Sequence, residues 1–205
     1  MSAHRPSPET LAAFAAGRLD DGLALVVAAH IETNPGSARD FRDVEALNGA
    51  LLDTIEPIAM LGGPPSLDPD EPALASPPAP ARETDLPAVL APYALGRWQS
   101  IGRGIALRRV EVPGAGARVF MLRAMPGTRL PAHRHTGAEW TAILSGAYEH
   151  EYGRYEAGDF DEAGAEHGHR PVVDPVLGCT CIVALSGKVL FDGWFGRLIQ
   201  PLVRL

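Results

Sequence analysis

His133, His135 and Glu139 fall within seven residues of the stretch GTRLPAHRHTGAEWTAILSG, residues 127–146. A neutral imidazole offers a nitrogen lone pair and a carboxylate offers a charged oxygen, so together they suit a divalent transition metal. The positions i, i+2 and i+6 are all odd, and in an extended chain side chains two apart leave the same face. The spacing therefore predicts three ligands pointing one way. Gly127 follows Pro126 in a turn, Thr136-Gly137 allows a kink between the histidines and the glutamate, and Ser145-Gly146 is expected to close the stretch with a hairpin turn.

A fourth ligand is expected from a neighbouring strand. Glu156-Ala157-Gly158-Asp159 reads as a turn, and His167 and His169 follow Gly158 by nine and eleven residues. Both would share one strand face by parity, so direction does not separate them. Gly127, His133, His135, Glu139 and Gly146 resemble the first signature motif of the cupins at every fixed position. The resemblance implies a small β-barrel, and its second motif favours the histidine eleven residues on, His169, with His167 as the alternative. The implied metal ligands are His133, His135, Glu139 and His169. Three imidazoles and one carboxylate suit zinc, iron, manganese or nickel, and ligand type alone does not choose among them.

At 205 residues and 46% hydrophobic content, the chain can hold one sizeable core and a small helical unit. Its first ten residues, MSAHRPSPET, contain no apolar signal region, and its longest apolar run, residues 23–29, is too short to span a bilayer. A cytoplasmic location is expected, with no membrane partner. Cys179 and Cys181 are the only cysteines, which excludes a disulfide framework; they lie in CTCIVAL, a predicted strand that places both sulfurs on one side as buried free thiols, with a redox or metal-exchange role as the sharper alternative. The formal charge of -7 is concentrated in the first 61 residues, where nine acids face four arginines for a net of -5. An acidic unit argues against direct nucleic-acid binding and is compatible with a basic protein partner.

Three helices are expected in residues 1–61. Ser7-Pro8-Glu9 is a cap, a first-turn proline and an acid near the positive end of the dipole, and Leu11, Phe14, Ala15 and Leu19 continue at helical spacing. GLALVVAAHIET predicts a central helix apolar on most sides, with His30 near its C-terminal end, where an imidazolium would interact well with the dipole. Asn34-Pro35 opens a third helix running to about Met60, with Phe41, Val44, Leu47, Leu51, Leu52 and Ile55 as its buried stripe. Three such helices bury little and need a metal, a partner or a second copy, so a homo-oligomer is among the expectations.

Residues 62–84, GGPPSLDPDEPALASPPAPARET, read as a proline-rich linker, a semi-rigid spacer that holds two domains apart. After a short helical turn within residues 86–95, β-rich runs separated by turn signals fill residues 85–205. The predicted fold is thus α+β and multidomain: a small three-helix unit (1–61), a linker (62–84) and an all-β cupin barrel (85–205). No internal repeat, nucleotide-type glycine loop or hydrolase elbow is present.

Helical acidic unit, proline linker and cupin, in that order, resemble the ChrR-type zinc anti-sigma factors over the whole chain. The matching stretches are Phe14–Gly17, Leu23–Glu32, the cupin motif, His169-Arg170-Pro171-Val172, Cys179-x-Cys181 and the terminal IQPLVRL. The resemblance implies an N-terminal unit that binds an extracytoplasmic-function sigma factor, and a cupin whose zinc is needed for release under oxidative stress. It also implies a second, N-terminal zinc held by a histidine and a His-x3-Cys-x2-Cys run, from which this chain departs. His4 and His30 remain, but Asn34 and Ser37 stand at the cysteine positions. Thiolates supply much of a structural zinc site's affinity, so no N-terminal zinc is expected and Asn34 is read as a helix cap. Two function classes follow: an anti-sigma transcription regulator with a metal-binding sensor, or a cupin metalloenzyme, a dioxygenase or isomerase on a small molecule. An appended sigma-binding-like unit has no evident use in an enzyme, so the regulator is the expected reading.

Overall fold

The computed structural model describes residues 4–58, 62, 86–102 and 104–191. Helix α1 (Pro8–Ala15) starts where the Ser7 hydroxyl accepts the Thr10 amide, α2 (Asp21–Thr33) where Asp20 accepts the Gly22 amide, and α3 (Pro35–Leu52) where Asn34 accepts the Ser37 amide. Each cap satisfies a first-turn donor that has no intrahelical partner. Helix α1 ends at Gly17, whose φ of 63° is the left-handed conformation that favours glycine.

Helix α3 is shorter than the sequence predicts, and its expected buried stripe is not buried. Phe41 packs on Phe14 with ring centroids 5.1 Å apart and Val44 is half-buried, but Leu47, Leu51, Leu52 and Ile55 are 57–67% exposed. The helix runs beyond the reach of α1 and α2, so its second half has an apolar face with nothing against it among the described residues. Met60 lies outside them.

The rest is β-structure: β1 (Ala94–Leu95), β2 (Gln99–Gly102), β3 (Ile105–Glu111), β4 (Arg118–Ala124), β5 (His133–His135), β6 (Glu139–His150), β7 (Gly153–Glu156), β8 (Phe160–Ala163), β9 (Val172–Val173), β10 (Cys179–Leu185) and β11 (Val189–Phe191). The helical turn predicted before them is a 3-10 turn, Ala88–Leu90. Among the described residues all pairings are antiparallel. One sheet runs β1-β3-β4-β10-β6-β7, with β2 on β3 and with β8 and β9 on β6, and β11 pairs with β5.

The hairpin expected at Ser145-Gly146 is a bulge inside β6 instead. The register against β10 slips by one residue around Leu144, and Gly146 adopts φ 75° where a Cβ would lie 2.0 Å from the Gly178 carbonyl oxygen. The strand then continues to His150, its first half pairing with β8 and its second with β7 and β9. A bulge of this kind redirects one strand between two parts of a barrel.

The two units are not held apart. Helix α2 lies on the outer face of β4, β6 and β10, and Leu25, Val26, Val27 and Ala29 share one buried cluster with Val110, Met121, Trp140, Phe160 and Ile182. A second cluster, with Leu107, Phe120, Ile143, Val183 and Leu185, lies inside the barrel. Polar contacts add to the seam: Ser7 donates its amide to Glu162 at 2.8 Å, Gly116 donates its amide to Asp20 at 2.6 Å, and Glu32 accepts the Ala88 amide at 2.6 Å. The partner that the three helices need for a core is therefore the barrel. Residues 63–85, which hold nearly all of the proposed linker, and the terminal IQPLVRL lie outside the described residues.

Candidate metal centre

His133 and His135 are the two ends of β5 and face inward, while Arg134 between them is exposed. Glu139 opens β6 after the Thr136-Gly137 turn, and His169 is brought alongside by an isolated bridge in which His133 and His169 exchange both backbone hydrogen bonds. The structure brings together all four residues named from the sequence. One donor atom from each lies within 4.8 Å of every other.

His167, the alternative, points elsewhere. It accepts the Gly164 amide at 2.9 Å, lies 3.1 Å from Glu166 and packs edge-on against Tyr152. The segment around it is not a strand, so the parity argument that grouped it with His169 does not apply there.

The geometry tests whether the four fit a metal. His133 donates from Nδ1 to the Pro131 carbonyl at 2.8 Å, which fixes its neutral tautomer and leaves the Nε2 lone pair aimed into the cluster. Nε2 of His169 lies 3.0 Å from it and 3.4 Å from Glu139. Nε2 of His135 is 3.1 Å from Glu139 yet lacks the alignment of a hydrogen bond, and both its ring nitrogens are buried without a hydrogen-bond partner. Buried polar atoms are rarely left so, and Nε2 of His135 faces the other three donor atoms. Burial would raise the Glu139 carboxyl, but the three imidazoles outweigh it and hold it well below the usual carboxylate range. Burial lowers His169, against the pull of Glu139. Neutral imidazoles and an ionised carboxylate are the protonation states that a metal requires. The cluster can bind a metal.

Sequence reading missed a second group beside the first. Tyr148 donates its hydroxyl to Asp161 at 2.7 Å, His150 Nε2 lies 2.9 Å from the same oxygen, and the Tyr152 amide donates to His150 Nδ1 at 3.1 Å. With Nδ1 accepting, the ring proton sits on Nε2 and points at Asp161. The His150 and His169 rings are 4.9 Å apart. The i, i+2 spacing of Tyr148 and His150 was a readable signal; their pairing with Asp161 was not.

Cys179 and Cys181 are buried free thiols in β10, as expected. The neighbouring Cys179 and burial together push the Cys181 thiol well up. At the N-terminal positions, His30 Nε2 lies 2.8 Å from the Ser37 hydroxyl, and Asn34 donates to the Gly158 carbonyl at 2.8 Å while capping α3. Burial lowers His30 to about 4, so the ring near the end of α2 is neutral at pH 7 and the dipole interaction open to an imidazolium is not used.

Residues 88–188 match the family model described as ChrR Cupin-like domain. The chain is 33% identical over 211 residues to the Anti-sigma-E factor ChrR of Cereibacter sphaeroides, covering 98% of each. The chain belongs to the ChrR anti-sigma factor family. The crystal structure of Rhodobacter sphaeroides SigE in complex with the anti-sigma ChrR matches it with a TM-score of 0.72 and 29% identity, over 91% of this chain and 100% of that one. The family match thus includes the helical unit as well as the barrel. Among the described residues no helix is long and apolar enough to cross a membrane.

Proposed function

We propose that this chain is a cytoplasmic anti-sigma factor: its helical unit, residues 1–61, sequesters an extracytoplasmic-function sigma factor, and its barrel, residues 85–205, is the sensor, joined through residues 62–84. The observation that carries the reading is the extent of the family match, 98% of the chain, since an enzyme that had only borrowed the barrel would lack the helical half. The exposed apolar stripe of α3, beside Asp43, Glu45, Asp53 and Glu56, supplies an apolar contact with an acidic rim suited to a basic partner.

His133, His135, Glu139 and His169 hold one divalent metal, and zinc suits the set because it takes imidazole nitrogen and carboxylate oxygen in four-coordinate sites. A bound metal would give His135 Nε2 the partner it lacks and would link β5, β6 and the segment around His169 through their side chains. Oxidative stress is the proposed signal. The test is co-expression of the full chain with an extracytoplasmic-function sigma factor from the same genome, followed by pull-down and transcription assays. A complex that forms at low salt and silences sigma-dependent transcription supports the reading. Full-length protein that binds no sigma factor yet consumes oxygen or turns over a small carbonyl substrate would replace it with the metalloenzyme alternative.

A further inference from the structure

Among the described residues the barrel encloses a cavity of about 360 Å³ that meets the metal cluster on one side. His133, Glu139 and His169 line it, whereas His135 lies behind them. The remaining wall is largely apolar, with Phe120, Leu122, Val173, Val183, Val189 and Phe191 among its residues. The wall also includes Thr141, Tyr148, Cys179 and Cys181. Tyr148 gives its hydroxyl to Asp161, and burial followed by the Asp161 charge pushes its phenol well above the usual range. The Cys181 thiol is held protonated, so it contributes an apolar surface and not a charge. Ile101, Gly102 and Arg129 line the cavity and are exposed, which places the mouth beside a guanidinium.

A dication held by three neutral imidazoles and one carboxylate carries a net positive charge at the end of this apolar space. Asp161 is a further buried carboxylate, but it does not line the cavity and is already held by Tyr148 and His150. Buried charge calls for a counter-charge, and apolar wall calls for an apolar body. The volume lies at the small end of the roughly 300–1,000 Å³ range of small-molecule sites.

We propose that the barrel cavity binds a small monocarboxylate with an apolar body, its carboxylate facing the metal cluster and its body lying along Phe120, Leu122, Val173, Val183 and Phe191. The inference rests on the metal-centre reading and adds to it the class of molecule that the sensor domain takes. Arg129 attracts the anion at the mouth, and the dry wall selects for the body behind the head group.

The experiment uses full-length protein whose metal content has first been measured, and replaces the native metal with cobalt to give an optical signal. Octanoate is the ligand tested, beside acetate, octanol and octylammonium. Octanoate is expected to raise the melting temperature and shift the cobalt spectrum, with acetate and octanol each at least about tenfold weaker and octylammonium without effect. Val183→Phe, which fills the cavity, should abolish octanoate binding at unchanged metal content, and Phe191→Trp is the second variant should the first fold poorly. Metal-replete protein that ignores octanoate overturns this proposal alone, as does equal binding of octanol. Protein that takes up no metal overturns the metal-centre reading and this inference with it.

Discussion

Asn34 does two jobs with one side chain: its Oδ1 accepts the Ser37 amide at 3.0 Å to cap α3, and its Nδ2 donates to the Gly158 carbonyl at 2.8 Å. The start of α3 is thereby tied to the turn between β7 and β8, across the seam joining helices and barrel. Asn34→Ala should lower stability by about 1–3 kcal/mol, from a lost cap and a buried carbonyl left without its donor. Asn34→Ser keeps a capping oxygen and withdraws the amide donor without adding charge, so denaturant titration of both variants separates the two contributions. Equal stability of Asn34→Ala and the parent would show that the seam does not depend on this residue.

His30 gives the fold an acid sensitivity with a defined window. Its folded-state pKa is about 4, because burial outweighs the opposing pull of Asp159, and Arg5 adds to the lowering. The unfolded chain takes up this proton near the usual 6.5, so between 6.5 and 4 the unfolded state binds more protons and stability falls as pH falls. The full cost is about 3 kcal/mol below that window. A His30→Gln variant should show a flatter loss of stability between pH 6.5 and 4 than the parent in paired thermal melts. Parallel curves would mean that His30 is not the group responsible.

The starts of α1 and α3 were legible because a cap is local: Ser7 and Asn34 each satisfy an amide three residues on. The four clustered residues were legible because their spacing encodes a motif whose members meet through strand pairing. Other features depend on what lies across the fold. The apolar stripe of α3 is real from Leu47 to Leu52, but periodicity identifies an apolar face and not what covers it. Gly146 needs a positive φ in a turn or a bulge alike, and only the approach of Gly178 decides for the bulge. The contact of α2 with Met121, Trp140 and Ile182 joins segments some hundred residues apart or more, with no local signal.

That shared core changes what metal removal should do. Two separate domains would let a chelator loosen the barrel while the helices stay folded. Because Val26 and Val27 are buried in the same cluster as Met121 and Trp140, helical circular dichroism and tryptophan fluorescence should instead fall in a single transition. Chelation, or His135→Ala, should lower the midpoint by about 2–4 °C for each kcal/mol lost. His135→Ala should also purify without stoichiometric metal by elemental analysis, and unchanged occupancy would remove His135 from the site.

The exposed stripe of α3 gives the sharpest test of sigma binding, because it can be altered without disturbing the core. Leu51 is 57% exposed and Leu47 63%, so Leu51→Asp removes apolar contact area from a partner while leaving nothing unpacked in the chain itself. Affinity for the sigma factor should fall at least tenfold, or about 1.4 kcal/mol, with helical content and melting temperature unchanged. Charge should act on rate more than on strength: Asp43→Asn with Glu45→Gln should slow association at low salt and leave dissociation nearly constant. Surface plasmon resonance on the full-length chain measures both constants. A Leu51→Asp protein that binds as tightly as the parent would move the sigma contact off this face of α3, and identical association rates at low and high salt would show that the acidic rim does not steer the encounter.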